Sequence, residues 1–176
     1  MAIVAFANLK NGVYYSLDRY LCWSLVQTIL ASLANVSKIF WPSYDKSTAE
    51  KSEEYALRAK HYVLRGKYLR ELLSVDKHSP LNSRALRNHF EYYDERLHDW
   101  AERSRHRMLM RRNIGPKGFT RVPDSDQTDA DMGILDPTTF TLTFWNDSIE
   151  IPILMESIEG LLKNTEKKLV ERSIPF

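Results

Sequence analysis

One stretch of the chain concentrates residue types that could do chemistry at a phosphate group. It runs from residue 79 to residue 100 and reads SPLNSRALRNHFEYYDERLHDW. An arginine binds phosphate oxygens through two parallel hydrogen bonds. A histidine, with a reference pKa of about 6.5, exchanges a proton near neutral pH. The residues of this stretch with side chains suited to such chemistry include Arg84, Arg87, Asn88, His89 and Tyr92.

A strongly basic stretch overlaps its end and continues past it. Residues 96–121, the basic block, contain eight Arg or Lys residues and two acids, whereas residues 122–150 contain seven acids and no Arg or Lys. A basic block attracts phosphate, and an adjacent acidic block can instead fold back on it and neutralise it. Both interpretations stay open. If the block contacts nucleic acid, the candidate binding residues are Arg105, Arg107, Arg111 and Arg112.

The sequence lacks the recognisable motifs of other catalytic and metal-binding sites. The chain has no glycine-rich phosphate loop and no His-Glu-x-x-His sequence, and no two of its five histidines stand four residues apart. Asp94 and His98 do stand four apart, but this spacing is more typical of a surface pair on a helix than of two metal ligands. The single cysteine, Cys22, excludes an intrachain disulfide framework. We therefore predict neither a metal site nor a cofactor.

The distribution of apolar residues favours a cytoplasmic protein with no membrane contact. Residues 1–9 lack the basic start and the cleavage pattern of a signal peptide. The most apolar stretch, residues 20–41, is interrupted by polar residues such as Gln27 and Asn35, which favours a buried amphipathic helix over a membrane span. One free thiol fits a reducing compartment.

The elements that must position these residues are mostly helical. Apolar residues at helical spacing predict a first helix over about residues 17–41, a second from about residue 48, and a third from about residue 81 past residue 100. Gly66 inside the second helix either weakens that helix or lets another helix pack closely against it. The predicted apolar face of the second helix consists of Tyr55, Ala59, Tyr62, Leu69 and Leu73.

The C-terminal part alternates between apolar and polar residues, as a strand does. Phe140, Leu142 and Phe144 alternate with threonines, and isoleucines recur at every second position over residues 149–153. This pattern predicts a hairpin over about residues 139–153, which must pack on the helices because an isolated hairpin is marginal in water. A last helix is predicted over about residues 153–172. The 176 residues thus predict one mainly α domain, a bundle of about four to five helices with one inserted β-hairpin.

The stretch from residue 79 to residue 100 resembles the HEPN superfamily of small helical domains, including its bacterial members. The usual motif of that family is an Arg, often followed by Asn or another polar residue, and a His after four to six intervening residues. Arg87 and Asn88 match the start of the motif, but Tyr92, Tyr93 and Asp94 stand where the His is expected.

A second register of the same motif keeps the histidine. Arg84 is followed by four residues and then by His89, although Ala85 replaces the polar follower. Neither register is complete. The resemblance covers the helical part of the chain and leaves the hairpin unexplained.

The resemblance implies two classes of function. Many HEPN proteins are metal-independent endoribonucleases of defence or toxin–antitoxin systems, and they usually act as dimers. Others are non-catalytic modules that bind nucleic acid, a nucleotide or a partner protein. We therefore expect a homodimeric HEPN-like domain that acts on RNA, with a nucleotide or a cognate partner protein as the alternative ligand. Whether it is an enzyme stays open.

The choice between these two registers of the motif decides which catalytic chemistry is available. Tyrosine has a reference pKa of about 10, so Tyr92 is protonated at neutral pH, and bringing it to its basic form costs roughly 3.5 pKa units, or about 5 kcal/mol, more than for histidine. Tyr92 can still donate a proton or stack on a base. His89 would keep ordinary acid–base catalysis. The structural alternative is that Arg87 pairs with Glu91 on a solvated helix face, a contact worth about 0.5 kcal/mol.

Overall fold

The computed structural model describes residues 1–14, 18–43, 52–83, 95, 98–99, 101–102, 112–116, 133–144 and 147–172. Its longer helices are α1 (Ala2–Tyr14), α2 (Arg19–Phe40), α3 (Glu53–Leu72) and α4 (Ile151–Arg172). Its strands are β1 (Asn113–Ile114), β2 (Ile134–Leu135), β3 (Thr141–Phe144) and β4 (Asp147–Glu150). The mainly α fold class is therefore confirmed.

Helix α2 is the central helix of the core, as the spacing of its apolar residues predicts. The carboxylate of Asp18 caps its start and accepts a hydrogen bond from the backbone N–H of Tyr20 at 3.1 Å. Val26, Ile29 and Leu33 are 0% exposed. Their spacing of three and four residues places all three on one helix face, so this face forms the centre of the core.

The N-terminal helix α1 is missing from the sequence-based prediction. Ala2, Ala5, Phe6 and Leu9 are buried in the same core cluster as α2. Two of these four residues are alanines, whose small side chains contribute little to an apolar pattern in the sequence. Helix α1 is part of the core because it packs against α2. The small residues of α1 allow the backbones of the two helices to approach closely.

The second predicted helix corresponds to α3 and begins at Glu53 rather than near residue 48. Ser52 caps it, since its hydroxyl accepts a hydrogen bond from the backbone N–H of Tyr55 at 3.3 Å. At the other end, Ser74 has a positive φ of 52°. The N–H of Val75 donates to the carbonyl of Arg70 at 2.8 Å, which closes the helix in the Schellman pattern.

The buried face of α3 is narrower than the predicted one. Ala59, Gly66 and Leu73 are buried at seven-residue spacing, but Tyr62 is 50% exposed, so its assignment to the buried face is wrong. A Cβ built on Gly66 would lie 2.7 Å from the carbonyl oxygen of Phe40 and 2.7 Å from Cδ of Pro42. Gly66 therefore permits the close helix packing that is one of its two predicted roles.

The predicted third helix falls mostly outside the described residues. Its predicted start is a short 3₁₀ helix, Pro80–Asn82, in which the Ser79 hydroxyl accepts a hydrogen bond from the N–H of Leu81 at 3.4 Å. Residues 95, 98–99 and 101–102 are helical.

The predicted hairpin is part of a four-stranded sheet with the order β1-β2-β3-β4. Strands β3 and β4 are antiparallel, with Leu142 opposite Ile149, whereas β1 and β2 are parallel. Ile151 begins α4 and does not continue β4 as predicted. Pro152 favours this change, because proline fits the first turn of a helix and cannot donate a strand hydrogen bond.

Aromatic contacts join the sheet to the helices, as predicted for the hairpin. The rings of Phe6 and Phe140 meet edge to face at 5.5 Å, and those of Trp23 and Phe144 meet at 6.2 Å. Strands β2 and β3 and the start of α4 contribute buried side chains to the cluster that contains α1 and α2. The sheet and these helices therefore share a core.

Candidate functional site

Most predicted site residues lie outside the described part of the chain. Arg112 is described, at the C-terminal side of the predicted cluster. The other eight are Arg84, Arg87, Asn88, His89, Tyr92, Arg105, Arg107 and Arg111. The structure therefore neither brings these eight together nor separates them.

Arg112 marks the point at which the basic block meets the sheet. Its backbone has a positive φ of 58°, and it is followed at once by β1. The N–H of Asn113 donates to the carbonyl of Gly133 at 3.0 Å, and that of Gly115 donates to the carbonyl of Leu135 at 2.9 Å. These bonds hold the backbone after Arg112 against β2. The half-buried Arg112 side chain therefore extends from a fixed position at the edge of the sheet.

His98 lies on an exposed helix surface, paired with Glu102. Its Nε2 atom lies 3.2 Å from a carboxylate oxygen of Glu102, four residues later, and both side chains are exposed. Asp94, the other residue of the candidate pair, lies outside the described residues. Within the described ranges, no group of three or more His, Cys, Asp or Glu residues is placed to hold a metal ion.

Helix α3 carries an outward surface that the sequence analysis overlooks. Residues 55–70 contain five Arg or Lys residues and no acid. Leu57, Leu64 and Tyr68 are 58%, 53% and 55% exposed, although leucine and tyrosine side chains are usually largely buried. His61 completes a spacing of four, three and four residues. We call Leu57, His61, Leu64 and Tyr68 the α3 seam.

Charged side chains flank the α3 seam. Arg58 pairs with Glu54, and Lys67 lies 3.8 Å from Glu71, in both cases one helical turn away. The guanidinium of Arg65 lies over the ring of Tyr62 at 5.3 Å. All these contacts are solvent-exposed and therefore weak, so the cations remain available to another molecule.

Helix α4 carries a second outward apolar surface. Its apolar residues keep the same four- and three-residue spacing from Ile151 to Leu169, but burial does not extend along the whole helix. Ile151 and Met155 are buried in the core, whereas Leu162 is 47% and Leu169 60% exposed. Leu162 and Leu169 form this exposed surface together with the half-buried Thr165, and we call these three residues the α4 seam; Ile158, one turn earlier, packs against the core cluster. The exposed acids Glu159 and Glu166 lie beside it.

Polar contacts fix the C-terminal end of α3 between α2 and α4. The guanidinium of Arg70 donates to the carbonyl of Phe40 and lies 5.7 Å from the ring of Trp41. The side-chain amide of Asn164 donates to the carbonyl of Leu73 at 2.8 Å. Each contact satisfies a carbonyl at a helix end that has no partner within its own helix.

The single thiol is a structural group. Cys22 is 1% exposed. Burial raises the pKa of its thiol above the ordinary value, and the carboxylate of Asp18 adds to the rise. A raised pKa keeps the thiol protonated at neutral pH, so Cys22 lacks the reactivity of a nucleophile.

Helix α2 is long and apolar enough to cross a membrane by length and composition, and 44% of its most apolar segment is buried inside the protein. One face of the helix, which includes Val26, Ile29 and Leu33, lies in the core described above. This burial agrees with the predicted buried amphipathic helix.

No protein-family model, curated protein or solved structure compared with this chain matches it.

Proposed function

We propose that this chain is a HEPN-like domain that binds RNA through the basic block. The observation that carries the proposal is the charge of that block, with eight cations against two acids within 26 residues. Each Arg or Lys that neutralises a phosphate releases a counterion, and this release supplies most of the sequence-independent affinity for nucleic acid.

The part of the block that the structure describes around Arg112 supports this role. Two hydrogen bonds hold the backbone that directly follows Arg112 against β2. Binding of a ligand by Arg112 therefore costs little backbone conformational entropy. Arginine also contacts phosphate through two parallel hydrogen bonds, which suits a block with seven arginines and one lysine.

The test compares two triple variants with equal loss of charge. Arg105→Ala/Arg107→Ala/Arg111→Ala removes three cations of the block, and the matched control Lys77→Ala/Lys163→Ala/Lys167→Ala removes three exposed lysines elsewhere. Fluorescence anisotropy measures the affinity for a labelled RNA of 20 nucleotides over a series of salt concentrations.

The first variant lowers the slope of log K against log salt by about 2, at about 0.7 for each lost contact with single-stranded RNA, whereas the control leaves it near the wild-type value. Equal loss in both variants means that the affinity comes from net charge alone. Absence of binding by the wild-type protein refutes the proposal.

A second candidate function is a metal-independent endoribonuclease. The observation that favours it is the register Arg84–His89, which retains a phosphate-binding cation and a group that can accept the proton of the 2′-hydroxyl. Incubation with total RNA in EDTA tests it. Cleavage that is lost in Arg84→Ala and His89→Ala but kept in Tyr92→Phe selects this register. Cleavage that persists in the first two variants removes both residues from the mechanism.

The cellular setting follows from the same proposal. A buried, protonated thiol without a disulfide partner is stable in a reducing cytoplasm, where RNA is abundant. A defence or toxin–antitoxin role belongs to the ribonuclease candidate and requires the cleavage described above. A nucleotide or a cognate partner protein is the alternative ligand if RNA does not bind.

A further inference from the structure

We infer that α3 binds the surface of an anionic membrane, with the α3 seam in the acyl region and its flanking cations among the lipid headgroups. This inference is independent of the proposed RNA binding. It also goes beyond the expectation of no membrane contact, because that expectation concerns a span, whereas α3 would lie on the bilayer without crossing it.

Two consecutive seven-residue segments of α3 are closely similar. Residues 55–61 read YALRAKH and residues 62–68 read YVLRGKY, so the tyrosine, leucine, arginine and lysine recur at the same places. Seven residues make almost two helical turns, and equivalent residues of the two segments therefore lie on the same side of the helix. The repeat thus builds continuous lines of similar side chains along α3.

The α3 seam lies on the side of the helix that faces away from the protein. Ala59 and Gly66, the small residues of the two segments, are buried. Each seam residue stands two positions before or after one of them, which is about 160° around the helix. The exposures of Leu57, Leu64 and Tyr68, at 58%, 53% and 55%, agree with this geometry.

Cations line both sides of the α3 seam. Arg58 and Arg65 directly precede the small residues, and Lys60 and Lys67 directly follow them. One position is about 100° of rotation, so the arginines lie along one side of the seam and the lysines along the other. All four are exposed. An apolar line between two rows of cations is typical of a helix at a membrane surface, where Lys and Arg stems extend from the acyl region to the phosphates.

The leucines favour an anionic lipid over a nucleic acid as the ligand of α3. RNA would satisfy the cations, but its phosphates and sugars are polar and its bases stack on aromatic rings, so Leu57 and Leu64 would gain little. A bilayer offers anionic headgroups and an apolar region within about 5–10 Å of each other. The cytoplasmic leaflet is rich in such anionic lipids.

The size of the α3 seam favours a bilayer over a folded protein partner. The helix rises only about 17 Å from Leu57 to Tyr68. A specific protein interface buries about 800 Å² on each partner, more than one short stripe supplies. A fluid bilayer accommodates a single helix and needs no larger complementary surface.

The protein holds α3 in place from its inner side. The guanidinium of Arg70 donates to the carbonyl of Phe40, and the amide of Asn164 donates to the carbonyl of Leu73 at 2.8 Å. Gly66 lets α3 lie against the end of α2. Because the helix is already formed and fixed, binding does not pay the entropy of ordering it.

Flotation of the full chain with lipid vesicles measures the binding. One set of vesicles contains two parts of phosphatidylcholine to one part of phosphatidylserine, and the other contains phosphatidylcholine alone. We expect the wild-type protein to bind the first set about tenfold or more tightly than the second, and salt to weaken this binding.

The first variant tests the apolar contact. Leu57→Gln/Leu64→Gln raises the apparent Kd for the phosphatidylserine vesicles by about tenfold or more, because two apolar side chains no longer enter the acyl region. The matched control, Leu162→Gln/Leu169→Gln, makes the same change at exposed leucines of α4 and leaves the Kd unchanged. Circular dichroism of each variant confirms its fold.

The second variant tests the electrostatic contact. Lys60→Gln/Arg65→Gln removes one cation from each row and raises the apparent Kd by about 25-fold, at about fivefold for each cation near an anionic surface. The control Lys163→Gln/Lys167→Gln removes two exposed cations of α4 and leaves the Kd nearly unchanged.

A fluorescent label reports whether the seam enters the acyl region. The substitution His61→Cys allows an NBD fluorophore to be attached in the seam, while the buried Cys22, 1% exposed, stays unlabelled. We expect the emission to shift to the blue and rise with phosphatidylserine vesicles. The same label attached through Lys163→Cys on α4 shows no shift.

Three outcomes overturn the inference. The first is a wild-type protein that does not bind the phosphatidylserine vesicles, since the α3 seam then has another occupant. The second is an equal loss of binding in an α3 variant and its α4 control. The third is a loss of vesicle binding in the triple variant of the basic block with none in the α3 variants, because the lipid contact then belongs to that block. RNA titration is a separate measurement, so either proposal can fail without the other.

Discussion

Replacement of Gly66 by alanine should destabilise the protein, although the same change stabilises an ordinary helix. Glycine inside a helix costs about 1 kcal/mol relative to alanine, so helix propensity alone favours the substitution. At Gly66, however, the new methyl group would lie 2.7 Å from the carbonyl oxygen of Phe40, 2.7 Å from Cδ of Pro42 and 3.3 Å from the carbonyl oxygen of Ile39.

These three contacts determine how much stability the Gly66→Ala variant loses. Two of the three atoms belong to the backbone and the third to a proline ring, so none can rotate away, and the end of α2 must move relative to α3. Overpacking of this kind costs about 1–3 kcal/mol. The movement also strains the hydrogen bond from Arg70 to the carbonyl of Phe40, and bonds to charged groups contribute about 1.5–3 kcal/mol. After subtraction of the helix-propensity gain, we expect a net loss of about 2 kcal/mol.

Gly160 supplies the matched control. It lies within α4, is exposed, and has no atom within 4 Å of a Cβ built on it. Gly160→Ala should therefore raise the free energy of unfolding by about 1 kcal/mol. At about 2–4 °C per kcal/mol for a domain of this size, Tm falls by roughly 4–8 °C in Gly66→Ala and rises by roughly 2–4 °C in Gly160→Ala.

Urea unfolding followed by circular dichroism measures both variants. The two changes are chemically identical and both lie in helices, so the opposite sign isolates the effect of the contact between α2 and α3. If Gly66→Ala is neutral or stabilising while Gly160→Ala stabilises, α3 does not approach the end of α2 as closely as described, and the reasoning is refuted.

Three further predictions concern helix ends and the buried thiol. Ser74→Gly should raise the free energy of unfolding by about 1 kcal/mol in the same urea assay, because glycine adopts the positive φ of 52° without strain; a loss of stability would contradict this. Arg70→Met should cost about 2 kcal/mol by leaving the carbonyl of Phe40 without its charged donor, and an unchanged midpoint would show that this bond contributes nothing. Burial raises the pKa of the Cys22 thiol in the folded state. The resulting stability is complete below the ordinary thiol pKa of about 8.5 and is lost as pH rises through the raised pKa, so the unfolding free energy should fall with alkaline pH more steeply in the wild type than in Cys22→Ala. Parallel pH dependences of the two proteins would count against this.

Local patterns in the sequence sufficed for the elements whose signals are strong. The three- and four-residue steps of Val26, Ile29 and Leu33 predict the buried face of α2, and the alternation around Leu142 predicts the hairpin. Strands β1 and β2 have two residues each, too few to show a periodic pattern; β2 forms on the edge of β3, and β1 forms on the edge of β2. Helix α1 escapes prediction because two of its four buried core residues are alanines.

The candidate site residues also divide into those that the sequence alone indicates and those that only the folded structure reveals. The Arg-rich composition of the basic block and the types of Arg84 and His89 are readable in the chain, and they stay predictions because their positions lie outside the described residues. The residues of the α3 and α4 seams recur at steps of three and four along the chain, but this spacing alone does not distinguish an exposed stripe from a core face. Only exposure in the folded protein shows that these stripes face outward.

The sequence by itself determined the strongly periodic elements, which are α2, α3, α4 and the hairpin, as well as the charge of each segment and the chemistry available to it, because these depend on neighbours one helical turn or one strand step apart. The tertiary structure decided which face of each helix is buried and what each glycine does. Gly66 and Gly160 are the same residue in the same kind of helix, but only Gly66 has the end of α2 against it. Such contacts join residues far apart in the chain, and no local pattern encodes them.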